Sequence, residues 1–107
     1  MHKAHEQIAN AYYTALSKRN VESTEIFLHT DVELVSPLAK IHGKKAILRA
    51  TEVFTSQFKT LKICTAIGSE NQVTVIYDID CPKPLGKITI KSQLTFLEKL
   101  IIRFELY

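Results

Sequence analysis

Histidine and cysteine residues, which could bind a metal or act as nucleophiles, are few and widely separated in this chain. His29 follows an amphipathic segment and His42 precedes Gly43, and no third ligand stands at a spacing typical of a metal site. Cys64 and Cys81 have no partner cysteines at metal spacing, so each is expected to be a small buried hydrophobe in a reducing compartment. We therefore expect no metal site and no cofactor.

The remaining residues whose side chains could take part in catalysis or ligand binding are carboxylates, an arginine and a tyrosine. Arg103 and Glu105 lie two positions apart in a strand-like segment, so they share a face, either beside a pocket or as an exposed salt bridge. Asp78 lies close to a predicted hairpin, where it faces a pocket or solvent. Tyr12 falls on a helical stripe, where its hydroxyl reaches a pocket or a backbone partner. No Ser-His-Asp arrangement or glycine-rich phosphate loop is present.

The composition predicts one globular domain over residues 1–107, with 46% hydrophobic and 23% charged residues. The net charge is +3, and the basic residues are spread along the chain. Their densest group lies near the start of a predicted helix, where it is typical of a solvated helix face. We therefore expect no nucleic-acid partner. The first ten residues contain no apolar run, which predicts neither a signal peptide nor a membrane span, and hence a cytoplasmic protein.

Apolar residues recur at helical spacing in three segments of the first half. Residues 5–18 form one amphipathic stripe, and Asn20 can cap a second helix over residues 21–28. The third and longest helix begins after Gly43, and its apolar positions are Ile47, Ala50, Thr51, Phe54 and Phe58. All three helices are expected to pack on a sheet.

Alternating residues predict the strands of that sheet. They cover residues 32–36, 61–67, 73–80, 87–97 and 100–107. Pro37 ends the first strand because it cannot donate to the sheet, and residues 38–42 are predicted to be a loop. Short connections favour antiparallel neighbours among the later strands.

Both faces of the third predicted strand, residues 73–80, carry apolar residues. Val73, Val75, Tyr77 and Ile79 lie on one face, and Ile76 with Thr74 on the other. A strand that is apolar on both faces is usually covered on both. We therefore expect a homodimer formed through the outer face of the sheet.

The order helix, helix, strand, helix and meander resembles the nuclear transport factor 2-like superfamily, and most closely its SnoaL-like group. The segments that carry the resemblance are YYTALSKRN, VELVSPLAKIHGKKAI, VIYDIDCPKPLGK and EKLIIRFELY. The resemblance implies an α+β fold: a cystatin-like, cone-shaped α+β barrel with three N-terminal helices packed on a curved, mainly antiparallel sheet. In this superfamily the sheet and helices enclose an apolar pocket that hosts ketosteroid isomerases, polyketide cyclases, epoxide hydrolases and noncatalytic modules.

Comparison with ketosteroid isomerases assigns three positions. By similarity Tyr12 falls at the tyrosine that holds the enolate oxygen, Ser36 at the aspartate base and Ser92 near the second aspartate. A serine hydroxyl cannot accept a proton from carbon at neutral pH without an activating base. Isomerase chemistry of that type is therefore not expected.

Comparison with limonene-epoxide hydrolase assigns a different set. Aligning on the Pro84-Leu85-Gly86 hairpin implies that Asp78 and Glu105 are the two catalytic carboxylates, with Arg103 supplying positive charge because Ile76 occupies the arginine position. Two carboxylates across a dry pocket would split their pKa values, so that one could act as acid and the other as base. Aligning on the start of the strand instead turns Asp78 outward and brings Tyr77 and Ile79 into the pocket, because a slip of one residue inverts every side chain.

Two functions are compatible with these residues. The first is a SnoaL-like protein that binds a small apolar molecule, acting as a hydrolase, cyclase or isomerase on a carbonyl or epoxide compound. Its expected polar groups are Tyr12, Ser36, Asp78, Ser92, Arg103 and Glu105, and its expected walls are Ile47, Phe54, Phe58, Leu94 and Phe96. The second is a noncatalytic dimerisation or protein-binding module, in which phenylalanine side chains fill the pocket.

Overall fold

A computed structural model describes residues 3–37 and 39–107, which form helices on one side of a single mixed sheet. In chain order the elements are α1 (Lys3–Ser17), α2 (Val21–Glu25), β1 (Leu28–Val35), β2 (Lys40–His42), α3 (Lys44–Thr55), β3 (Thr60–Ser69), β4 (Gln72–Asp80), β5 (Lys87–Leu97) and β6 (Leu100–Leu106). This order confirms the three predicted helices and the predicted late meander of strands.

The second helix begins as predicted and ends earlier. Asn20 caps it, since its side-chain oxygen accepts from the Ser23 amide at 3.2 Å. The helix ends at Glu25, and Leu28, expected in its last turn, instead begins β1. Leu28 is paired in parallel with Ile101, and this long-range partner overrides the local helical pattern.

The predicted loop over residues 38–42 is partly wrong, because β2 lies within it. Lys40 and Ile41 pair antiparallel with β1, after a turn in which the Ser36 amide donates to the Ala39 carbonyl at 2.9 Å. Pro37 lies in that turn, as predicted, and Leu38 lies outside the described residues.

The strand order is β2-β1-β6-β5-β4-β3, so the last four strands form an antiparallel meander, as predicted. The pairing of β1 with β6 is parallel and joins the first strand to the last. Register shifts interrupt three of the ladders, between Leu28 and Glu33, at Ile63/Thr65 and at Thr95/Phe96. Such bulges bend strands, and they accompany the curvature of the sheet around the helices.

We call the side of the sheet that contacts the helices the inner face and the opposite side the outer face. Helix α1 packs against β3 and β4, and α3 packs against β1. Alternate residues of β4 are buried on the inner face, namely Val73, Val75, Tyr77 and Ile79. This alternation is unbroken along β4, so its even-numbered residues all point outward.

Most side chains on the outer face are polar. Strands β5 and β6 contribute Lys91, Gln93, Arg103 and Glu105 to it, with Gln93 paired to Glu105 across the ladder. Gln93 donates to the Gln72 side chain at 2.8 Å. The outward-facing apolar residues of β4 are therefore surrounded by charged and amide side chains from the neighbouring strands.

Arg19 joins the end of α1 to the end of α3. Its backbone is left-handed, with φ of 58°, and it ends α1 as its amide donates to the Leu16 carbonyl at 3.0 Å. The guanidinium donates to the carbonyls of Thr55 at 3.1 Å, Phe58 at 2.5 Å and Lys59 at 2.9 Å. These bonds satisfy carbonyls at the end of α3 and fix α1 and α3 over the sheet.

Among the described residues, no helix has both the length and the apolar content that a membrane crossing requires.

Candidate functional site

A partly open pocket of about 220 Å³ lies between α1, α3 and the inner face of the sheet. Helix α1 contributes Tyr12, Tyr13 and Leu16, and α3 contributes Ile47, Ala50, Thr51 and Phe54. The strands contribute Leu34, Tyr77, Ile90, Phe104 and Leu106. The lining is thus almost entirely apolar, and its polar groups are one threonine and three tyrosine hydroxyls.

The buried and half-buried members of this lining distinguish the floor from the mouth. The tyrosines, Ile47, Thr51 and Phe104 are buried, whereas Ala50, Phe54, Ile90 and Leu106 keep part of their surface exposed. The pocket therefore has a tyrosine-rich floor and opens between α3 and strands β5 and β6. Because Thr51 Oγ1 donates to the Ile47 carbonyl at 2.7 Å, its proton is already used within the helix.

Three of the four tyrosines in the chain meet at this floor. The rings of Tyr12 and Tyr13 are nearly perpendicular, with centroids 5.1 Å apart, and the Tyr13 and Tyr77 centroids are 4.8 Å apart. Phe104 lies 5.3 Å from the Tyr12 ring. Edge-to-face and tilted contacts of this kind are favourable for aromatic rings.

Burial raises the pKa of all three floor tyrosines. Desolvation is the main cause in each case, and each phenol is further disfavoured as an anion by a neighbouring tyrosine: Tyr13 for Tyr12, Tyr77 for Tyr13 and Tyr12 for Tyr77. The three phenols are therefore protonated at neutral pH. The Tyr13 hydroxyl interacts with those of Ser92 and Tyr77, and the Tyr12 hydroxyl with that of Thr51. As protonated phenols, these groups serve as hydrogen-bond donors and do not act as bases.

Asp78 lies on the outer face and is absent from the pocket lining. Thr89 Oγ1 donates to its carboxylate at 2.6 Å, and Lys87 Nζ lies 3.8 Å away. The Thr89 hydrogen bond is the main reason that the pKa of Asp78 is lowered. Because β4 alternates without a bulge, the buried Tyr77 and Ile79 fix Asp78 outward, which is the second of the two alignments considered above.

Glu105 and Arg103 also lie on the outer face, next to each other as strand alternation predicts. Arg103 Nε lies 3.5 Å from Glu105 and 3.5 Å from Glu33, and the Tyr107 hydroxyl donates to Glu105 at 3.3 Å. Asp78 pairs with Thr89 in the β4–β5 ladder, whereas Glu105 pairs with Gln93 further along β5. The structure does not bring the two carboxylates together, nor either of them into the pocket.

The two serines singled out by similarity have separate surroundings. Ser36 belongs to the turn after β1, where its Oγ accepts from the Ala39 amide at 3.1 Å. Ser92 is fully buried on the inner face, and its Oγ has no geometric hydrogen-bond partner. The Ser92 hydroxyl acts to lower the pKa of Tyr13, against the larger effect of burial, which raises it. It lies behind the tyrosine floor and does not line the cavity.

Of the aromatic and aliphatic residues predicted to form the pocket walls, some line the pocket and the others belong to the hydrophobic core. Phe54 and Ile47 line the pocket, as the sequence predicted. Phe58 packs against Phe54 with tilted rings whose centroids are 5.1 Å apart but does not line the pocket, and Leu94 is fully buried in the core. Phe96 stacks on His5 at 4.5 Å. Phe58, Leu94 and Phe96 therefore support the pocket and do not fill it.

Sequence reasoning found Tyr12, placed Tyr77 in the pocket under one of its two alignments, and missed Tyr13. Tyr13 follows Tyr12 directly and is also buried, because the covered stripe of a helix is wide enough to include two successive residues. The alternation of β4 places Tyr77 and Ile79 together on the pocket side in one alignment, and the structure puts Tyr77 in the pocket and Ile79 in the neighbouring cavity. Phe104 and Leu106 could not be found this way, because their position beside α1 depends on the parallel β1–β6 pairing.

Comparison with solved structures identifies the fold. The chain is similar to an NTF2-like protein of unknown function from Cytophaga hutchinsonii, with a TM-score of 0.84 and 17% identity over 96% of this chain and 88% of the other. It is similar to a protein with a ketosteroid isomerase-like fold from Catenulispora acidiphila in complex with trimethylamine, with a TM-score of 0.76 and 16% identity over 94% and 83%. TerC co-crystallised with polyporic acid gives a TM-score of 0.80 and 16% identity over 97% and 90%.

The fold is therefore that of the NTF2-like proteins, an α+β fold with a curved sheet and N-terminal helices, as the sequence predicted. No protein-family model matches the chain, and no curated protein matches it in sequence. Trimethylamine and polyporic acid are chemically unlike each other, so the shared fold does not specify a ligand.

Proposed function

We propose that this protein binds a small, mostly apolar ring compound that carries an oxygen acceptor, and that it holds this compound in the tyrosine-floored pocket. The observation that carries the proposal is the lining itself, in which three protonated tyrosines form the floor of an otherwise apolar cavity. Ligand sites of this kind combine an apolar wall with a few polar groups that fix orientation. The complexes formed by two proteins of the same fold support a small-molecule role.

The size of the pocket limits the ligand. A cavity of about 150 Å³ accommodates benzene in an engineered protein. The pocket of about 220 Å³ therefore has room for a single six-membered ring with a short substituent.

The composition of the lining favours binding over proton-transfer catalysis. No carboxylate, histidine or cysteine is present among the described lining residues, and the tyrosines hold their protons at neutral pH. A general base must accept a proton near the working pH and lie within hydrogen-bond reach of the ligand. We therefore propose a binding role for the pocket, with the floor tyrosines as donors to a ligand carbonyl or ether oxygen.

Titration calorimetry with cyclohexanone and methylcyclohexane tests this function. We expect the ketone to bind about fivefold more tightly than the hydrocarbon, because one tyrosine hydrogen bond contributes about 1 kcal/mol. The variant Ala50→Phe fills the mouth from a half-exposed helix position and should abolish binding of both compounds. The matched control is Glu52→Phe, an exposed position on the same helix. Failure of both compounds to bind the folded wild type, or undiminished binding by Ala50→Phe, would overturn the proposal.

A second candidate, self-association through the outer face, has one supporting observation. Ile67 lies on this face at 63% exposure, next to the half-buried Ile76, so part of the polar surface is apolar. We propose that a second copy covers this part, giving a homodimer. Sedimentation equilibrium should give a dimer for the wild type and a monomer for Ile67→Lys. A monomeric wild type at micromolar concentration would rule this out.

A further inference from the structure

A second cavity, an open cleft of about 500 Å³, lies beside the mouth of the pocket. It is bounded by the end of α3 and by the connection between β4 and β5. Its lining consists of Phe54, Gln57, Ile79, Cys81, Pro82, Lys83, Pro84, Leu85 and Ile88. Leu85 is 66% exposed, so this cleft leaves a large apolar side chain in contact with solvent.

The pocket and the cleft are consecutive along the inner face of the sheet. Tyr77 and Ile90 are directly paired across β4 and β5 and line the pocket, whereas the next inward pair, Ile79 and Ile88, lines the cleft. Two residues along a strand span roughly 7 Å, so the two cavities follow each other without an intervening layer. Among the described residues, Phe54 alone lines both cavities.

The cleft differs from the pocket in carrying a charge. Lys83 is the charged residue of its described lining, and Gln57 adds an amide. The nearest acidic residues along β4, Asp78 and Asp80, occupy outward positions and therefore do not compensate Lys83 within the cleft. An anionic group is thus favoured at the far end of the cleft.

We propose that the pocket and the cleft form one elongated site for a cyclic compound with an alkyl tail that ends in a carboxylate. The ring occupies the tyrosine-floored pocket, the tail passes Phe54 and crosses Ile79 and Ile88, and the carboxylate lies near Lys83. This inference rests on the proposed function, since it assumes that the pocket holds the ring, and it adds the chemical class of the whole ligand.

A series of 4-oxocyclohexyl alkanoic acids of increasing chain length, measured by calorimetry beside cyclohexanone, tests the inference. Each methylene buried in the cleft should tighten binding by up to about fourfold, until the tail spans the cleft and the gain stops. If cyclohexanone binds but affinity does not rise with chain length, the elongated site is wrong and the proposed function stands. If neither cyclohexanone nor any acid binds, the proposed function fails and this inference fails with it.

The charged end is tested by removing Lys83. The variant Lys83→Gln should weaken the longest acid about threefold, since an exposed ion pair contributes less than about 1 kcal/mol, and it should leave its methyl ester unaffected. The exposed Lys45→Gln on α3 is the matched control and should change neither affinity. Added salt should reduce the difference between acid and ester in the wild type. Equal affinities of Lys83→Gln and wild type for the acid would overturn the placement of the carboxylate.

A second variant tests the cleft without touching the charge. Ile88→Trp replaces a half-buried strand residue by a larger residue that strands also favour, and it should fill the cleft. We expect the dependence on chain length to disappear while cyclohexanone binding persists. Retention of the full chain-length dependence in the folded variant would show that the tail takes another route.

Discussion

The two faces of the same sheet use polar groups in opposite ways. On the inner face, three tyrosines surround a cavity and burial keeps their phenols neutral. On the outer face, Arg103, Glu105 and Asp78 are charged, and each has a partner in a neighbouring strand or residue. A neutral donor beside an empty space is available to a ligand, whereas a charge that is already paired is not. The inner face is therefore the better candidate for recognition, although the outer face holds more ionisable residues.

The largest expected difference between the faces is in stability. Leu94 and Thr95 are successive residues of β5, the first fully buried and the second on the outer face. Leu94→Ala should lower the free energy of unfolding by about 2–5 kcal/mol, because it removes buried methyl groups and leaves a cavity. Thr95→Ala should cost less than about 1 kcal/mol. Urea denaturation measures both, and equal losses would contradict the assignment of faces.

The tyrosines of the two faces should contribute differently to the loss of stability at alkaline pH. Burial raises the pKa of the floor tyrosines in the folded state, so the folded protein binds more protons than the unfolded chain above pH 10, where a free tyrosine loses its proton. Stability is therefore complete below about pH 10 and falls as pH rises, by about 1.4 kcal/mol per pH unit for each floor tyrosine. Denaturation at several alkaline pH values measures the slope.

The fourth tyrosine provides the control for this titration. Tyr107 lies on the outer face, and its pKa is raised by desolvation and by Glu105. Tyr107→Phe should leave most of the alkaline slope intact, whereas Tyr77→Phe should reduce it by about one third, as expected for one of three similar groups. If Tyr107→Phe, and not Tyr77→Phe, removed the alkaline dependence of stability, the effect would belong to the outer face and the assignment to the floor tyrosines would be wrong.

The smallest expected effect comes from Asp78, which the sequence nominated as catalytic. The Thr89 hydrogen bond lowers the pKa of Asp78, so its contribution to stability is present above the unfolded pKa of about 4 and is lost as pH falls below it. Asp78→Asn should therefore cost slightly more stability at neutral pH than at acidic pH. It should leave the affinity for cyclohexanone unchanged, because the side chain is absent from the pocket lining. A large loss of binding in this variant, or in Glu105→Gln, would show that the outer face takes part in recognition.

Local sequence patterns predicted correctly those elements whose formation depends on neighbouring residues. The stripe of α1, the Asn20 cap and the meander from β3 to β6 follow from spacing and turn residues, and the structure has all of them. Where a distant segment decides, local patterns failed. Leu28 leaves the helical pattern because Ile101 pairs with it, and β2 forms in a predicted loop because β1 lies beside it.

The sequence by itself determined the three helices, the late strands and their order, because helical and strand periodicities need only neighbouring residues. The NTF2-like fold was implied by the resemblance of its segments to that superfamily. The sequence also determined that Asp78 and Tyr77 point to opposite faces, but the tertiary structure alone decided which of them faces the helices. Alternation fixes the relative orientation of side chains within a strand, whereas packing against α1 fixes the absolute one. The tyrosine floor exists only because α1 crosses β4, and no spacing along the chain encodes that contact.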